Sequence, residues 1–346
     1  MESEPPRRRP TLSQVAELAG TSVPTVSKVL RGGTDVSPAT RMRVMEAVRE
    51  TGYRRRGASK QAGALPQRPT MIDLVVNHVA GSWANSVLTG VEAAAASADI
   101  DVVISMATRG RDWTSRLLRR PSSGAVVVLV DPSSTQFQTL AAAHVPLVLI
   151  DPMSKPPHDV LSVGVANWDG GQIAAEHLLA LGHRRFGVIA GDRAHLYSRA
   201  RVDGFRSAVD THDADAKVHV AHADWDRGRA REEARLLLGA HPEITALFAC
   251  SDIMALGIYD AAADLDLVIP RDVSVVGFDD VPEASAARPP LTTVRQPTVE
   301  MGAAAVRMLL AAMTISPGAF EAKATRLEMA TELIIRESSA GTDQRS

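Results

Sequence analysis

Residues 21–33 read TSVPTVSKVLRGG, and this stretch decides how the N-terminal part of the chain folds. Pro24 stands near the start of an apolar helical pattern, where its missing N–H needs no partner, and Ser22 can cap that helix. The other polar positions carry short hydroxyl side chains and one long cation: Thr25, Ser27 and Lys28. This mixture suits a surface of phosphates and base edges.

Two more short helices are predicted around this one. Residues 11–14 form a capping box, in which Thr11 is the N-cap and Gln14 reaches back to it. Gly20 ends the first helix, and Ser37 with Pro38 begins a third. Apolar residues recur at helical spacing in all three, namely Leu12, Val15, Ala16, Ala19, Val26, Val29, Leu30, Val44, Ala47 and Val48. The pattern predicts a helix-turn-helix.

In a helix-turn-helix the second helix enters the major groove of DNA. Hydroxyl side chains near the helix starts are suited to phosphate oxygens: Ser22, Thr25, Ser27, Ser37 and Thr40. Lys28 could reach the acceptors of guanine. The alternative is a three-helix packing module that binds no nucleic acid, and the charge of this segment disfavours it.

The charge is distributed unevenly along the chain. Residues 1–68 contain 13 Lys and Arg against 6 Asp and Glu, a net charge of +7. The whole chain carries −2, which leaves −9 for residues 69–346. A basic head on an acidic body indicates that the head, and not the body, meets a polyanion.

Length and composition bound the remaining possibilities. A chain of 346 residues is expected to form two or more domains. Its single cysteine, Cys250, excludes a disulfide framework and a cysteine zinc site. No apolar run approaches the roughly 20 residues of a membrane helix, and the N-terminus lacks the apolar core of a secretory signal. We therefore expect a cytoplasmic, nucleoid-associated protein without a membrane partner.

The body alternates apolar runs with helical stretches, which predicts parallel strands buried on both faces. The runs are residues 72–76, 102–105, 125–130, 146–150, 186–190, 246–249 and 273–278. Four carboxylates closely follow strands: Asp131, Asp151, Asp252 and Asp279. Asp131 and Asp252 are interpreted as helix N-caps. Together with Arg201 and Trp225 in intervening segments, the set predicts a polar pocket beyond the carboxyl ends of the strands.

The head resembles that of the LacI/GalR family of transcriptional regulators, on the residues TLSQVAELAGTSVPTVSKVL, VSPATR and the closing GY. Two residues of the reading helix depart from the family, because Lys28 replaces a usual arginine and Arg31 a common asparagine. The resemblance implies these DNA contacts: Thr11, Ser22, Val23, Pro24, Thr25, Ser27, Lys28, Arg31, Ser37, Thr40, Lys60 and Ala62. Family members wedge a hinge leucine into the minor groove, a position that here falls on Ala62, with Leu65 as the alternative.

The body is similar to the periplasmic-binding-protein-like core of the same family. The resemblance rests on NWDGG (167–171), LGHR (181–184), SRARVDGF (198–205), SDIMALG (251–257), VGFDD (276–280) and PLTTV (290–294). It implies six effector-binding residues: Trp83, Asp151, Arg201, Trp225, Ser251 and Asp279. Ser251 replaces a frequent asparagine. Carboxylates, an arginine and aromatic faces suit a sugar, whereas Trp168 is interpreted as a packing residue.

The resulting prediction is an all-α helix-turn-helix joined to an α/β core of two parallel-sheet subdomains. The predicted boundaries are a head at 1–56, a hinge or linker at 57–68, an effector-binding and dimerisation domain at 69–337 and a disordered tail at 338–346. Its N-subdomain takes 69–166 and 294–320, and its C-subdomain 167–293 and 321–337.

The predicted function is a homodimeric repressor that leaves a double-stranded operator when a small sugar binds between the subdomains. Co-repression, activation, a transporter-linked solute-binding protein, a sugar enzyme and a nonspecific architectural DNA binder are the alternatives. We find no phosphate loop, nucleophile elbow or paired acids. No cofactor is expected, and no metal site is expected at His212, His219 and His222.

Overall fold

The computed structural model describes residues 10–30, 36–51, 53, 70–108, 112–213, 215–314 and 326–342. The predicted DNA contacts of Arg31, Lys60 and Ala62, and the alternative wedge Leu65, lie outside these residues. Within the described ranges, no helix combines the length and the apolar character that crossing a bilayer requires.

The head contains three helices: α1 (Leu12–Leu18), α2 (Val23–Leu30) and α3 (Pro38–Thr51). The predicted capping box is confirmed, since the Thr11 N–H donates to the Gln14 side chain at 2.7 Å and the Gln14 N–H donates to Thr11 Oγ1 at 3.3 Å. Gly20 follows α1 with φ of 58°, a left-handed conformation that favours glycine. The helices close around a small core of Val15, Ala16, Ala19, Val26, Val29, Val44, Ala47, Val48 and Tyr53.

The body alternates strands and helices, as its sequence pattern predicts. Its strands are β1 (Met71–Val76), β2 (Asp101–Met106), β3 (Ala125–Val128), β4 (Leu147–Ile150), β5 (Leu161–Val165), β6 (Arg185–Ala190), β7 (Lys217–His222), β8 (Ala246–Ala249), β9 (Ser274–Asp279), β10 (Thr292–Arg295), β11 (Arg326–Met329) and β12 (Glu332–Ile334). Its helices are α4 (Ser82–Ala96), α5 (Trp113–Leu117), α6 (Ser134–Ala142), α7 (Asn167–Ala180), α8 (Leu196–His212), α9 (Arg227–Ala240), α10 (Asp252–Asp264), α11 (Pro282–Ala286) and α12 (Thr298–Thr314).

The strands form two six-stranded sheets, with the orders β11-β5-β4-β3-β1-β2 and β12-β10-β9-β8-β6-β7. The pairs of β1 with β2, β6 with β8 and β8 with β9 are parallel, and β12 runs antiparallel to β10. Every residue of β3 and β8 is buried. The continuous apolar runs of the sequence therefore correspond to strands covered on both faces.

The described residues fall into two compact units. The first lies within Met1–His78, Glu92–Val148 and Val306–Glu321, and the second within Val79–Val91, Leu149–Ala305 and Ala322–Ser346. The core of the second unit includes four phenylalanines that are fully buried: Phe186, Phe205, Phe248 and Phe278. Phe205 stacks on Phe248 with ring centroids 5.2 Å apart, while Phe186 meets Phe205 edge to face.

Two glycines allow α7 and α8 to pack with their backbones in contact. A Cβ at Gly171 would overlap the carbonyl oxygen of Arg201, and a Cβ at Gly204 would overlap that of Trp168. Each helix thus presents a glycine to the backbone of the other. This close approach fixes where α8 lies relative to α7, and with it the position of Arg201.

The prediction of a disordered tail at 338–346 is wrong for its first five residues. Ser338 is buried, its hydroxyl accepts the Thr292 N–H at 2.8 Å, and its carbonyl accepts the Val275 N–H. The carbonyl of Ala340 lies 3.1 Å from Nε2 of His183, which is also fully buried. Polar groups of this segment therefore make buried hydrogen bonds and are not simply solvated.

Candidate functional site

The predicted DNA contacts of the second helix lie at its start and along its exposed surface. The Thr25 N–H donates to Ser22 Oγ at 3.3 Å, and the two hydroxyls lie 2.8 Å apart, so Ser22 caps α2. The other predicted positions on α2 are exposed or half-buried: Val23, Pro24, Ser27 and Lys28.

The third helix begins in the same way. The Thr40 N–H donates to Ser37 Oγ at 3.2 Å, and the Ser37 hydroxyl donates to Thr40 Oγ1 at 2.9 Å. The predicted phosphate contacts Ser22, Thr25, Ser37 and Thr40 are thus concentrated at the N-termini of α2 and α3, where the helix dipole favours an anion.

A second cluster of polar groups surrounds Arg201, which belongs to α8 and is only 3% exposed. Its Nε donates to Oδ1 of Asn167 at 2.7 Å, and a terminal nitrogen donates to the carbonyl oxygen of Cys250 at 2.5 Å. The guanidinium carbon lies 3.7 Å from the centroid of the Phe278 ring, so an aromatic face covers the cation. These partners hold the guanidinium in one orientation.

Asp279 ends β9 and is the carboxylate nearest to Arg201, with 3.6 Å between its Oδ1 and the guanidinium. The side-chain amide of Gln296 donates to the same oxygen at 2.6 Å. Burial raises the pKa of Asp279 to about 7, although the charge of Arg201 and the bond from Gln296 oppose the rise. Among the described residues the buried Oε1 of Gln296 has no hydrogen-bond partner.

Asp151 follows β4 and is 4% exposed. Burial raises its pKa to about 6, and the charges of Arg201 and Arg326 lower it by less. The backbone is strained at three of the predicted effector-binding residues, with φ of 44° at Asp151, 64° at Trp225 and 124° at Asp279. Left-handed conformations at residues other than glycine persist where the surrounding structure enforces them, and they are frequent at binding sites.

Besides Phe278, the aromatic rings of Tyr197 and Trp225 lie beside Arg201. The Trp225 indole N–H donates to Nδ1 of His195 at 3.0 Å, and the Tyr197 ring lies 5.1 Å from the Trp225 ring. The guanidinium carbon of Arg201 is 5.8 Å from the centroids of both Tyr197 and Trp225. The indole rests on the backbone of Gly191, where a Cβ would overlap it. Trp225 is therefore fixed by a close approach that only glycine permits.

A cavity of about 240 Å³ opens next to this cluster. Its lining includes Asp151, Asn167, Trp168, Tyr197, Arg326 and Glu328. The interpretation of Trp168 as a packing residue is wrong, because its side chain is 42% exposed and lines the cavity. The backbone of Trp168 packs against Gly204.

The structure also corrects the two carboxylates interpreted as N-caps. Ser251 caps α10 by accepting the Met254 N–H, whereas Asp252 is the first helical residue. Asp252 is fully buried and accepts from the Thr293 hydroxyl at 2.5 Å and from the Val281 N–H at 2.9 Å. Burial, and then the charge of Asp279, raise its pKa. Asp131 is exposed, and the residue that caps α6 is Ser133.

Four of the six predicted effector-binding residues are thus brought together: Asp151, Arg201, Trp225 and Asp279. Ser251 is 4% exposed and follows Cys250, whose carbonyl holds Arg201. Trp83 is half-buried in the first turn of α4, and among the described residues it makes no ring contact or hydrogen bond with these four.

Sequence reasoning missed several members of the site. These are Asn167, His195, Tyr197, Phe278 and Gln296. Asn167 and Phe278 lie inside the stretches NWDGG and VGFDD, which carry the family resemblance. That resemblance could have identified both residues as members of the site. Nothing in the local sequence distinguishes Gln296 or His195 from ordinary loop residues.

The two raised carboxyl pKa values predict that stability falls as the pH rises. The pKa of Asp151 rises from 3.8 to about 6, and that of Asp279 rises from 3.8 to about 7. Between pH 3.8 and these raised values, the folded chain keeps a proton on each carboxyl group that the unfolded chain has already released. Unfolding free energy therefore decreases through that window and levels off above it. We expect Tm to fall by about 3 °C or more between pH 5 and pH 8 from this source.

Thermal unfolding of Asp279→Asn across the same pH range measures the contribution. This variant should show a shallower decline, whereas Asp203→Asn, which removes an exposed carboxyl of α8, should keep the parental slope. Equal slopes in all three proteins would contradict the assignment.

Comparison with known proteins places both parts of the chain in one family. A profile described as bacterial regulatory proteins of the lacI family matches residues 11–56, and one described as a periplasmic binding protein-like domain matches residues 175–339. The HTH-type transcriptional regulator CelR of Thermobifida fusca is 32% identical over 342 residues, covering 96% of this chain and 99% of the relative.

Solved structures agree with this assignment. A complex of the transcriptional regulator CelR with cellobiose has a TM-score of 0.70 at 32% identity, covering 96% of this chain and 100% of the other. The lac repressor dimer bound to operator and the anti-inducer ONPF has a TM-score of 0.70 at 25% identity, with the same coverage of 96% and 100%. The chain therefore belongs to the LacI family, whose members are DNA-binding transcriptional regulators and not enzymes.

Proposed function

We propose that this protein is a cytoplasmic repressor that holds an operator as a homodimer and releases it when a small sugar binds beside Arg201. The observation that carries the effector half of this proposal is the buried pair of Arg201 and Asp279, which adjoins Asp151 and the rings of Tyr197 and Trp225. The family supports the operator half.

A sugar fits the chemistry of this cluster. Its hydroxyls can donate to the carboxylates of Asp151 and Asp279, and they can accept from Arg201. Its C–H faces can lie on an aromatic ring such as that of Trp168, which is exposed in the cavity wall. The volume of about 240 Å³ lies just below the usual range for ligand pockets, which begins at about 300 Å³, and fits a small ligand.

Release of DNA requires the sugar to bind one conformation of the protein better than another. A two-fold dimer presents two heads to a pseudo-palindromic operator, and the linker at 57–68 joins each head to its body. In this proposal the sugar-bound body disfavours the arrangement in which both heads reach their half-sites. The coupling need not be large, because allosteric coupling typically changes affinity by about 5–150-fold.

The test is operator binding by the full-length protein across a panel of mono- and disaccharides. Cellobiose is the first probe, since the CelR structure contains it. One sugar should weaken operator binding and also raise Tm, because a ligand that binds the folded state stabilises it. A sugar that tightens operator binding would make it a co-repressor, and a panel without any effect on binding or Tm would reject a sugar effector.

Lys28→Ala is expected to weaken operator binding by about 1–3 kcal/mol and random-sequence binding by less, because an exposed lysine on α2 can contact a base edge. Fluorescence anisotropy with both DNAs measures the difference. Arg49→Ala removes an exposed charge from the last turn of α3 and is the control, expected to affect both DNAs alike. Equal losses on both DNAs for Lys28→Ala would mean that Lys28 reads no base.

A further inference from the structure

One side-chain cluster of the second unit lies away from the Arg201 site and has the composition of a metal site. It consists of His219, His241 and Glu243, each of which offers one ligand atom, and these atoms lie within 4.8 Å of one another. The prediction that His219 belongs to no metal site considered only its neighbours in sequence. The fold brings two further residues, His241 and Glu243, next to it from the end of α9 and the turn that follows.

Backbone hydrogen bonds hold all three residues in place. His219 is in the middle of β7, which is an edge strand of its sheet and pairs with β6. His241 caps the end of α9, where its N–H donates to the carbonyl of Leu237 at 2.9 Å. The turn that contains Glu243 is closed by the bond from the Ile244 N–H to the carbonyl of His241. The backbone around the cluster is therefore already ordered before an ion binds.

The three side chains lie close together, with the two imidazole rings side by side. The two imidazole rings stack with centroids 3.6 Å apart and planes inclined by 27°. Nδ1 of His241 lies 3.4 Å from a carboxylate oxygen of Glu243. Ligands bound to one zinc ion at about 2.1 Å lie no more than about 4.2 Å apart. The ligand atoms, which lie within 4.8 Å of one another, must move closer to reach that limit. One of the stacked imidazole rings must also turn, so that a nitrogen lone pair of each ring faces the same ion.

We infer that His219, His241 and Glu243 form a binding site for a divalent transition-metal ion of the zinc type. Imidazole nitrogen and carboxylate oxygen are the donors that Zn²⁺, Ni²⁺ and Cu²⁺ accept, whereas Mg²⁺ and Ca²⁺ prefer an all-oxygen shell. The histidines are half-buried and the carboxylate is exposed, so water completes the coordination. A bound ion links the edge strand β7 to the end of α9.

Zinc titration of untagged, full-length protein in isothermal calorimetry tests the site. One Zn²⁺ per chain is expected, and Zn²⁺ should raise Tm. His219→Ala and His241→Ala should each weaken binding at least as much as the loss of an outer-shell partner does, about 10–100-fold. Glu243→Gln should weaken it too. His212→Ala, at the exposed end of α8, is the matched control and should bind like the parent protein.

Circular dichroism in the presence of a chelator shows whether each variant is folded. Electron paramagnetic resonance of the parent protein with one equivalent of Cu²⁺ gives a readout that needs no variant, and coupling to two nitrogen ligands is expected. Zinc binding that is absent, or that is equal in the parent, His219→Ala and His241→Ala, would overturn the assignment, as would a copper spectrum without histidine nitrogen coupling.

Discussion

Replacing Arg201 with alanine is expected to abolish the response of operator binding to sugar. The guanidinium is nearly fully buried and holds Asn167 and the carbonyl of Cys250, and it faces Asp279. Its removal takes away the guanidinium N–H donors of the site. The buried oxygens of Asn167 and Cys250 that accept from them are then left without a hydrogen-bond partner. We expect effector affinity to fall by about 30-fold or more, since truncating one partner of a buried charge pair costs about 2–5 kcal/mol. Operator affinity without sugar should be retained.

Operator titrations with and without sugar measure this outcome, and Tm shows whether the variant remains folded. Arg201→Lys keeps the charge without the fork, so it should recover folding better than it recovers the sugar response. Arg227→Ala is the matched control, because Arg227 is an exposed arginine of α9 that also pairs with a carboxylate, Asp260, at 2.7 Å. A sugar response that persists in Arg201→Ala would remove Arg201 from the effector site.

The second large effect is expected at Gly204. An alanine there places its Cβ on the carbonyl oxygen of Trp168, and neither helix backbone can yield without displacing the packed core between α7, α8 and the sheet. Overpacking a close-packed interior costs about 1–3 kcal/mol, and a backbone overlap belongs at or above the upper end of that range. Denaturant unfolding should show the loss. Because the same contact positions Arg201, sugar binding should weaken as well.

Gly239 provides the control for this prediction. It lies near the end of α9, and a Cβ there would meet nothing within 4 Å. Gly239→Ala should therefore be neutral or stabilising by up to about 1 kcal/mol, since alanine favours a helix over glycine. Similar unfolding free energies for Gly204→Ala and Gly239→Ala would show that the contact between α7 and α8 can relax, and that it does not fix the site.

The head could be predicted almost completely because its determinants are local. The capping box of Thr11 and Gln14, the break at Gly20 and the cap at Ser22 each act over three or four residues. The apolar positions expected to face inward lie in the core, with Leu12 and Leu30 only partly buried, and Tyr53 joins them there. Short-range hydrogen bonds and helical periodicity are enough to specify such a unit.

The body was less completely predictable. Its apolar runs became strands, but β5, β7, β10, β11 and β12 were not among the predicted runs. β11 and β12 are short, partly exposed edge strands that contain Arg326, Glu328 and Glu332, so their sequences lack the apolar signal. Their pairing partners stand far away in sequence: β11 pairs with β5 and β12 pairs with β10. These segments become strands because they pair in the assembled sheet, and not because of their local sequence.

The sequence by itself determined the helix-turn-helix and the α/β class of the body. Through family resemblance it also predicted which arginine, carboxylates and tryptophan would form an effector site. The tertiary structure alone decided how those groups interact. In the folded chain Gln296 donates a hydrogen bond to Asp279, Trp225 donates one to His195, and the ring of His241 stacks on that of His219. The physical reason is distance along the chain: caps and periodicity act between near neighbours, whereas burial, pKa values and ligand geometry depend on groups that only the fold brings into contact.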